Sequence, residues 1–239
     1  MEFQLDLRLL IFDLDGTLID SEKDLAIAVN ATRAEAGLPP LGQKEVDGMV
    51  GRGPAELVRR AVGEAVDEKG LRRLLEFFVI YYRQHAMENT RLYPGVAEAV
   101  AALHARGYLL AVLTNKPTRI SRDILARLGL AGVMKYIYGT RGPLPGPPHP
   151  EGVQSFDQKK PDPIGILTML KKCSLQPRQA MIVGDSSVDI LTGRNAGVWT
   201  CGVTYGFQPE SLKETPPDLL VDSLAELVEK LAAEPKSLL

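Results

Sequence analysis

Cysteine is scarce in this chain: Cys173 and Cys201 are the only two, and they stand far apart. A disulfide framework or a zinc site would need more cysteines at closer spacing, so free thiols in a reducing compartment are expected. Histidine is nearly as rare. His85, His104 and His149 are scattered, and His104 falls inside the helical pattern AEAVAALHARG, so neither a histidine metal site nor a histidine-based triad is expected. No run of about 18 apolar residues occurs, which leaves no candidate membrane span. Excess basic charge is missing too. The net charge of −2 lacks the footprint that nucleic acid or an anionic membrane would favour. The first strand is expected from near Arg8, so no signal peptide is expected and the cytoplasm is the expected location. What remains is a 239-residue chain, 45% apolar, able to bury the core of one large domain or two small ones.

The stretch from Leu9 to Ser21 reads LLIFDLDGTLIDS. Its leading apolar run resembles a strand buried on both faces, as in parallel sheets. The pattern recurs in LLAVLTNK from Leu109 into Thr114, AMIVGDSSVD from Ala180 into Asp185 and WTCGVTYG over Trp199 to Gly206, and more weakly in KYIYGT over Lys135 to Thr140. Between these lie helical patterns: GVAEAVAALHARG, RISRDILARLGL, PIGILTMLKKC and VDILTGRNAG, with DSLAELVEKLAAE near the end. Strands alternating with helices predict right-handed crossovers and a doubly wound parallel sheet, an α/β fold.

Two segments break the alternation. From Asp20 to Asn89 the pattern is helical throughout, in EKDLAIAVNATRAEAG, PAELVRRAVGEAV and KGLRRLLEFFVIYYRQHAM. Ser21 and Asp24 are spaced as a capping box at its start. So much helix exceeds a crossover, so residues 20–89 are expected to form a helical domain on a core built from 1–19 and 90–239. The second segment, Gly139 to Pro163, is dense in proline and glycine, which predicts irregular backbone. A lid and a disordered loop are both open readings of it.

Asp13 and Asp15 carry the chemistry of the opening motif. Residues two apart in an extended chain point the same way, so their carboxylates crowd one space and resist joint ionisation. A cation or a shared proton must compensate them. Open parallel sheets bind ligands beyond the carboxyl ends of their strands. The polar residues ending the apolar runs are Asp13 with Asp15, Thr114 with Asn115, and Asp185, and Lys160 in KKPDP stands just ahead of a helix. Carboxylates without histidine or thiolate suit a hard cation such as Mg²⁺. Thr114 and Lys160 are then donors for the oxygens of a phosphoryl group. One carboxylate can attack phosphorus, and its neighbour can protonate the leaving oxygen and then deprotonate water. Gly16 permits the tight turn needed after such a pair.

DLDGTLIDS, LTN, KPDP and GDSSVD resemble, in order, the four motifs of the haloacid dehalogenase superfamily of phosphohydrolases, and the resemblance spans essentially the whole chain. GLPPLGQKEV, VGRGPAELVRRA, LYPGV, LTNKP and GVTYGF are similar to its phosphoglycolate phosphatase-like members. The resemblance implies a Rossmann-like core with a helical cap inserted after strand one. It implies an Mg²⁺-dependent phosphomonoesterase that forms an aspartyl-phosphate and acts on a small phosphorylated metabolite, with 2-phosphoglycolate first. Asp13 would be the nucleophile, Asp15 the general acid/base, and Thr114 and Lys160 the phosphate binders. Mg²⁺ would be held by Asp13, the Asp15 backbone carbonyl and Asp185, with Asp189 in support. Gly16, Asn115 and Lys116 join the substrate-binding set, although Lys116 facing solvent is the competing reading. Arg52 in VGRG is expected either to reach over the site and read the substrate or to be a solvated helix-flanking residue. The functional lysine of the family directly precedes the first proline, which selects Lys160 over Lys159. The connection from Gly139 to Gln158 is longer than the family's usual one. No nucleic-acid or membrane partner is implied, and the expected assembly is a monomer or homodimer.

Of the other readings, two fit less of the pattern and one stays open. A dehalogenase of the same superfamily lacks an acid at the position of Asp15. A phosphosugar mutase or a sugar-phosphate phosphatase keeps every motif and differs in the cap. A phospho-receiver module has an adjacent acidic pair on a much shorter chain.

Overall fold

β1 (Leu9–Phe12) has no exposed side chain, as its unbroken apolar run requires. It sits at the centre of a parallel sheet in the computed structural model, which describes residues 6–144 and 148–232. The other strands are β4 (Leu109–Pro117), β5 (Met134–Thr140), β6 (Val153–Phe156), β7 (Ala180–Gly184), β8 (Trp199–Val203) and β9 (Leu219–Val221). They are ordered β6-β5-β4-β1-β7-β8-β9. β1 pairs with β4 on one side and β7 on the other, so the three strands carrying the motif residues are direct neighbours.

Alternation within the strands divides the core between the two faces of the sheet. Leu10, Phe12, Leu110 and Val112 belong to one apolar cluster, and Leu9, Ile11, Ala111 and Leu113 to the other. Helices α5 (Val96–Ala105), α6 (Thr118–Arg127) and α9 (Leu224–Ala232) contribute to the first cluster; α7 (Ile164–Cys173) and α8 (Ser187–Ala196) contribute to the second. Covered on both faces, the sheet has the doubly wound, Rossmann-like form that the alternation predicts.

Between the short antiparallel pair β2 (Ile19–Asp20) and β3 (Arg91–Leu92) lie α1 (Glu22–Glu35), α2 (Gln43–Asp47), α3 (Pro54–Val62) and α4 (Glu68–His85). The capping box expected of Ser21 and Asp24 does not form. The Ser21 hydroxyl donates instead to Asp15 Oδ1 at 2.5 Å. Asp24 is buried and takes bonds from the backbone N–H groups of Asn89 and Thr90 and from both their side chains, at 2.7–3.0 Å. The Asp15 carboxylate claims the Ser21 hydroxyl, and the donors of Asn89 and Thr90 claim Asp24, in place of the helix end.

The stretch after β5 is also more regular than its composition predicts. Val153–Phe156 contains no proline and adds to the outer edge of β5 as the parallel strand β6. Gly152, at φ +76°, turns the chain into register. Prolines flank the strand without interrupting its ladder, and an edge position tolerates such neighbours. Residues 145–147 of this stretch lie outside the described residues. Two further departures are short. The pattern from Trp199 closes as a strand at Val203 rather than Gly206, and β9 joins the sheet from Leu219–Val221, a run too brief for its alternation to register.

Candidate active site

Asp13 follows the last residue of β1 and stays in the ladder, its N–H donating to the Val183 carbonyl at 2.9 Å. Thr114, Asn115 and Lys116 lie near the carboxyl end of β4, and Asp185 directly follows β7. The sheet therefore delivers all of them to one edge. Lys160 joins from the segment ahead of α7, with its Nζ 2.8 Å from Asp13 Oδ1 and 2.6 Å from Asp189 Oδ1. Lys159 is half-buried, whereas Lys160 is buried.

The crowding of Asp13 and Asp15 is answered by two ammonium groups. Asp13 faces Lys160, and Asp15 accepts from Lys116 Nζ at 2.8 Å on Oδ1 and 3.1 Å on Oδ2. Lys116 is buried and gives a further bond to the Tyr82 hydroxyl at 2.8 Å, which rules out the solvent-facing reading. Burial alone would lower both lysines, but the carboxylates outweigh it and hold each ammonium above its ordinary range, Lys160 by Asp13 and Asp189, Lys116 by Asp15.

Oxygen ligands gather around Asp13. Carboxylate oxygens of Asp13, Asp185 and Asp189 lie within 4.8 Å of one another, all buried. Burial, with the charge of Asp189 adding to it and Lys160 opposing it, raises Asp13 to about 6. Burial and the charges of Asp189 and Asp13 raise Asp185 to about 8, against two backbone N–H bonds to Oδ2 from Phe207 at 2.7 Å and Gln208 at 3.2 Å. Three buried carboxylates and one lysine leave an excess of negative charge. An all-oxygen set of this kind fits a hard divalent cation such as Mg²⁺. Asp189 is otherwise engaged, since its Oδ2 takes the Ser186 hydroxyl at 2.8 Å and N–H at 3.3 Å.

Gly16 has a steric part. It stands at φ +81°, and a Cβ there would run into the Asp185 carboxylate. Gly206 does the same from the other side, pressed between Asp185 and the Gly16 carbonyl. Thr114 is buried and its Oγ1 accepts from the Lys116 N–H at 3.2 Å. Asn115 accepts the Lys160 N–H at 2.8 Å and donates to the Gly51 carbonyl at 2.9 Å.

A cavity of about 50 Å³ opens between this edge and the inserted helices. Asp13, Asp15, Thr114, Asn115 and Lys116 line one side; Leu25, Val50, Leu57, Phe78 and Tyr82 line the other. Gly51, Gly53 and Pro54 are in the lining, but Arg52 between them is exposed and is not. Three participants escaped sequence reasoning. Ser21 reads as a helix cap, Tyr82 is one of two adjacent tyrosines on α4, and Gln208 follows GVTYGF without a pattern of its own.

With this geometry in place, the comparisons with known proteins agree. The family model described as haloacid dehalogenase-like hydrolase matches residues 10–203. A phosphoglycolate phosphatase of Vibrio vulnificus strain YJ016 is 34% identical over 233 residues, 95% of this chain and 96% of the relative. Another, of Haemophilus influenzae, is 35% identical over 229 residues, 92% and 96% of the two chains. The crystal structure of a predicted phosphoglycolate phosphatase from Haemophilus somnus 129PT superposes with a TM-score of 0.85 at 32% identity, covering 95% of this chain and 98% of its own.

Proposed function

This chain belongs to the haloacid dehalogenase-like hydrolases, and from that membership we propose that it is an Mg²⁺-dependent phosphomonoesterase acting first on 2-phosphoglycolate. The observation that carries the reading is the position of Asp13. It is a buried carboxylate with an ammonium at 2.8 Å and two further buried carboxylates, Asp185 and Asp189, within 4.8 Å. Asp13, Asp185 and the Asp15 carbonyl would hold Mg²⁺, which when bound supplies positive charge to the phosphoryl oxygens. Thr114 and Lys160 bind those oxygens from the protein side.

Asp13 attacks phosphorus, the bond to the leaving oxygen breaks, and Asp15, entering this step as the neutral acid, gives that oxygen its proton. Asp15 then takes a proton from water, the water oxygen bonds to phosphorus, and the phosphorus–Asp13 bond breaks. Asp13 ends as the free carboxylate and Asp15 as the neutral acid, as each began. Residues 20–89 act as a cap on a core of 1–19 and 90–239, and the apolar wall from Leu25 to Phe78 keeps bulk water from the intermediate.

Two features support a short substrate. The cavity is small, about 50 Å³, and the relatives above carry the name phosphoglycolate phosphatase. The test is phosphate release from 2-phosphoglycolate, sugar phosphates, nucleoside monophosphates and pyrophosphate, with Mg²⁺ and with a chelator. Mg²⁺-dependent release that favours 2-phosphoglycolate is expected. Preference for another ester would overturn the substrate and keep the chemistry. Release that survives chelation would overturn the metal's part.

A further inference from the structure

Three side chains cross from the sheet edge to residues 47–82, and each of the three residues is also bonded to a group of the site. Lys116 Nζ reaches the Tyr82 hydroxyl at 2.8 Å while holding Asp15. Asn115 Nδ2 reaches the Gly51 carbonyl at 2.9 Å while its Oδ1 holds the Lys160 N–H. Gln208 Nε2 donates to the carbonyls of Val50 at 2.8 Å and Asp47 at 3.3 Å, while its backbone N–H donates to Asp185 Oδ2.

An ammonium has three N–H bonds, and Lys116 directs them at both oxygens of Asp15 and at Tyr82. All three of these partners are groups of the protein itself. The chemistry of Lys116 in this arrangement is to hold Asp15, and Tyr82 fixes where it holds it from. Gln208 stands in the same relation to Asp185. Its side chain is fastened to the loop between α2 and α3, and the same residue's backbone fastens the carboxylate. If residues 47–82 lifted from the edge, Lys116 would lose its third partner and Gln208 both of its acceptors. Asp15 and Asp185 would each keep a partner whose own position was no longer fixed.

We propose that Tyr82 and Gln208 are positioning residues: they tie the seating of residues 47–82 over the sheet edge to the orientation of Asp15 and Asp185. The kinetic consequence rests on the hydrolase reading above; the structural tie does not.

The test uses the full chain with Tyr82→Phe, which keeps the ring and its stacking on Phe78, and Gln208→Ala, which keeps the backbone N–H. Gln208→Glu, of the same shape without the donors, serves if the alanine variant folds poorly. Tyr81→Phe, on the neighbouring α4 residue stacked on Phe77 and His85, is the control. On the ester that the wild type hydrolyses best, kcat is expected to fall roughly 10- to 100-fold in each test variant, the range for losing a hydrogen bond to a charged or buried group. KM should move less. The double variant should lose less than the product of the two, because both act on one arrangement. Amide exchange over residues 47–53 should quicken in both variants and stay at the wild-type rate in Tyr81→Phe.

Unchanged exchange in folded Tyr82→Phe and Gln208→Ala would overturn the proposal whatever the rates. Faster exchange with unchanged kcat would overturn the positioning role. A wild type that hydrolyses no ester would sink the hydrolase reading alone, and the exchange result would still decide the tie.

Discussion

Lys160 Nζ lies 2.6 Å from Asp189 Oδ1, and Asp189 is wholly buried, its other oxygen taken by Ser186. The lysine that faces Asp13 is thus held from behind by a carboxylate that α8 and Ser186 keep in place. Removing the ammonium strands two buried carboxylates, Asp13 and Asp189, at once. Lys160→Met is expected to lower stability by about 3–5 kcal/mol, the cost of breaking a buried pair from one side. Adding Asp189→Asn should recover part of that loss, since it removes one stranded charge. Urea unfolding of the single and double variants measures both effects, and phosphate release should be lost in each.

Gly16→Ala tests a different constraint. The residue sits at φ +81°, and the new methyl group would meet the Asp185 carboxylate. The backbone strain costs about 1–2 kcal/mol, a modest loss that leaves the chain folded. Displacing Asp185 by as little as about 1 Å should cost roughly 100-fold in turnover. The expected result is therefore a folded protein with a small drop in melting temperature and a large one in kcat.

The strand-ending residues were legible because a parallel sheet brings its carboxyl ends together whatever lies between. Asp13, Thr114 and Asp185 needed only their positions at the ends of apolar runs. The partner of Lys116 was not legible. Tyr82 is 34 residues away on an inserted helix, and two adjacent tyrosines point in different directions around it. Ser21 misled for a related reason. Its spacing to Asp24 satisfies a local rule, but partners outside the helix claimed both side chains: Asp15, six residues back, for one, and Asn89 and Thr90, 65 and 66 residues on, for the other. β6 was hidden because proline density describes the stretch as a whole, whereas a strand needs only four proline-free residues beside an open edge. Arg52 had a motif to recommend it, but its exposure depends on how the loop between α2 and α3 turns.

Asp24 gives the fold a definable acid limit. Burial pushes its carboxyl up, but the donors of Asn89 and Thr90 outweigh burial and hold it below its ordinary value of 3.8. A carboxylate whose folded pKa is depressed contributes stability that is present above the unfolded pKa and lost as pH falls through the folded one. Asp24→Asn should therefore be less stable than the wild type at pH 7, by about 1–3 kcal/mol for donors left facing an amide. The gap should narrow once the pH drops below about 4. Urea unfolding of both proteins at neutral and acidic pH measures it. A gap that stays constant across that range would show that the charge of Asp24 contributes nothing.

Asp13 and Asp185 bear on stability with the opposite sign. Their folded values are raised, to about 6 and about 8, so the metal-free fold binds more protons than the unfolded chain between their ordinary value of 3.8 and about 8. Its stability should accordingly fall as pH rises through that window. A bound cation requires both groups ionised and removes the repulsion between them, so protons and Mg²⁺ compete for the same oxygens. The increase in melting temperature on adding Mg²⁺ should then grow from pH 6 to pH 8.5. At a concentration about 100 times Kd it should approach roughly 5–10 °C, from about 2.7 kcal/mol of binding linkage in a chain of this length. Asp185→Asn removes one of the repelling charges as well as a ligand. It should melt higher than the wild type at pH 8 without metal, and gain little or nothing when Mg²⁺ is added. Thermal melts of the two proteins across pH, with Mg²⁺ and with chelator, separate these effects. A wild-type shift independent of pH would mean that the carboxylate cluster does not bind the ion.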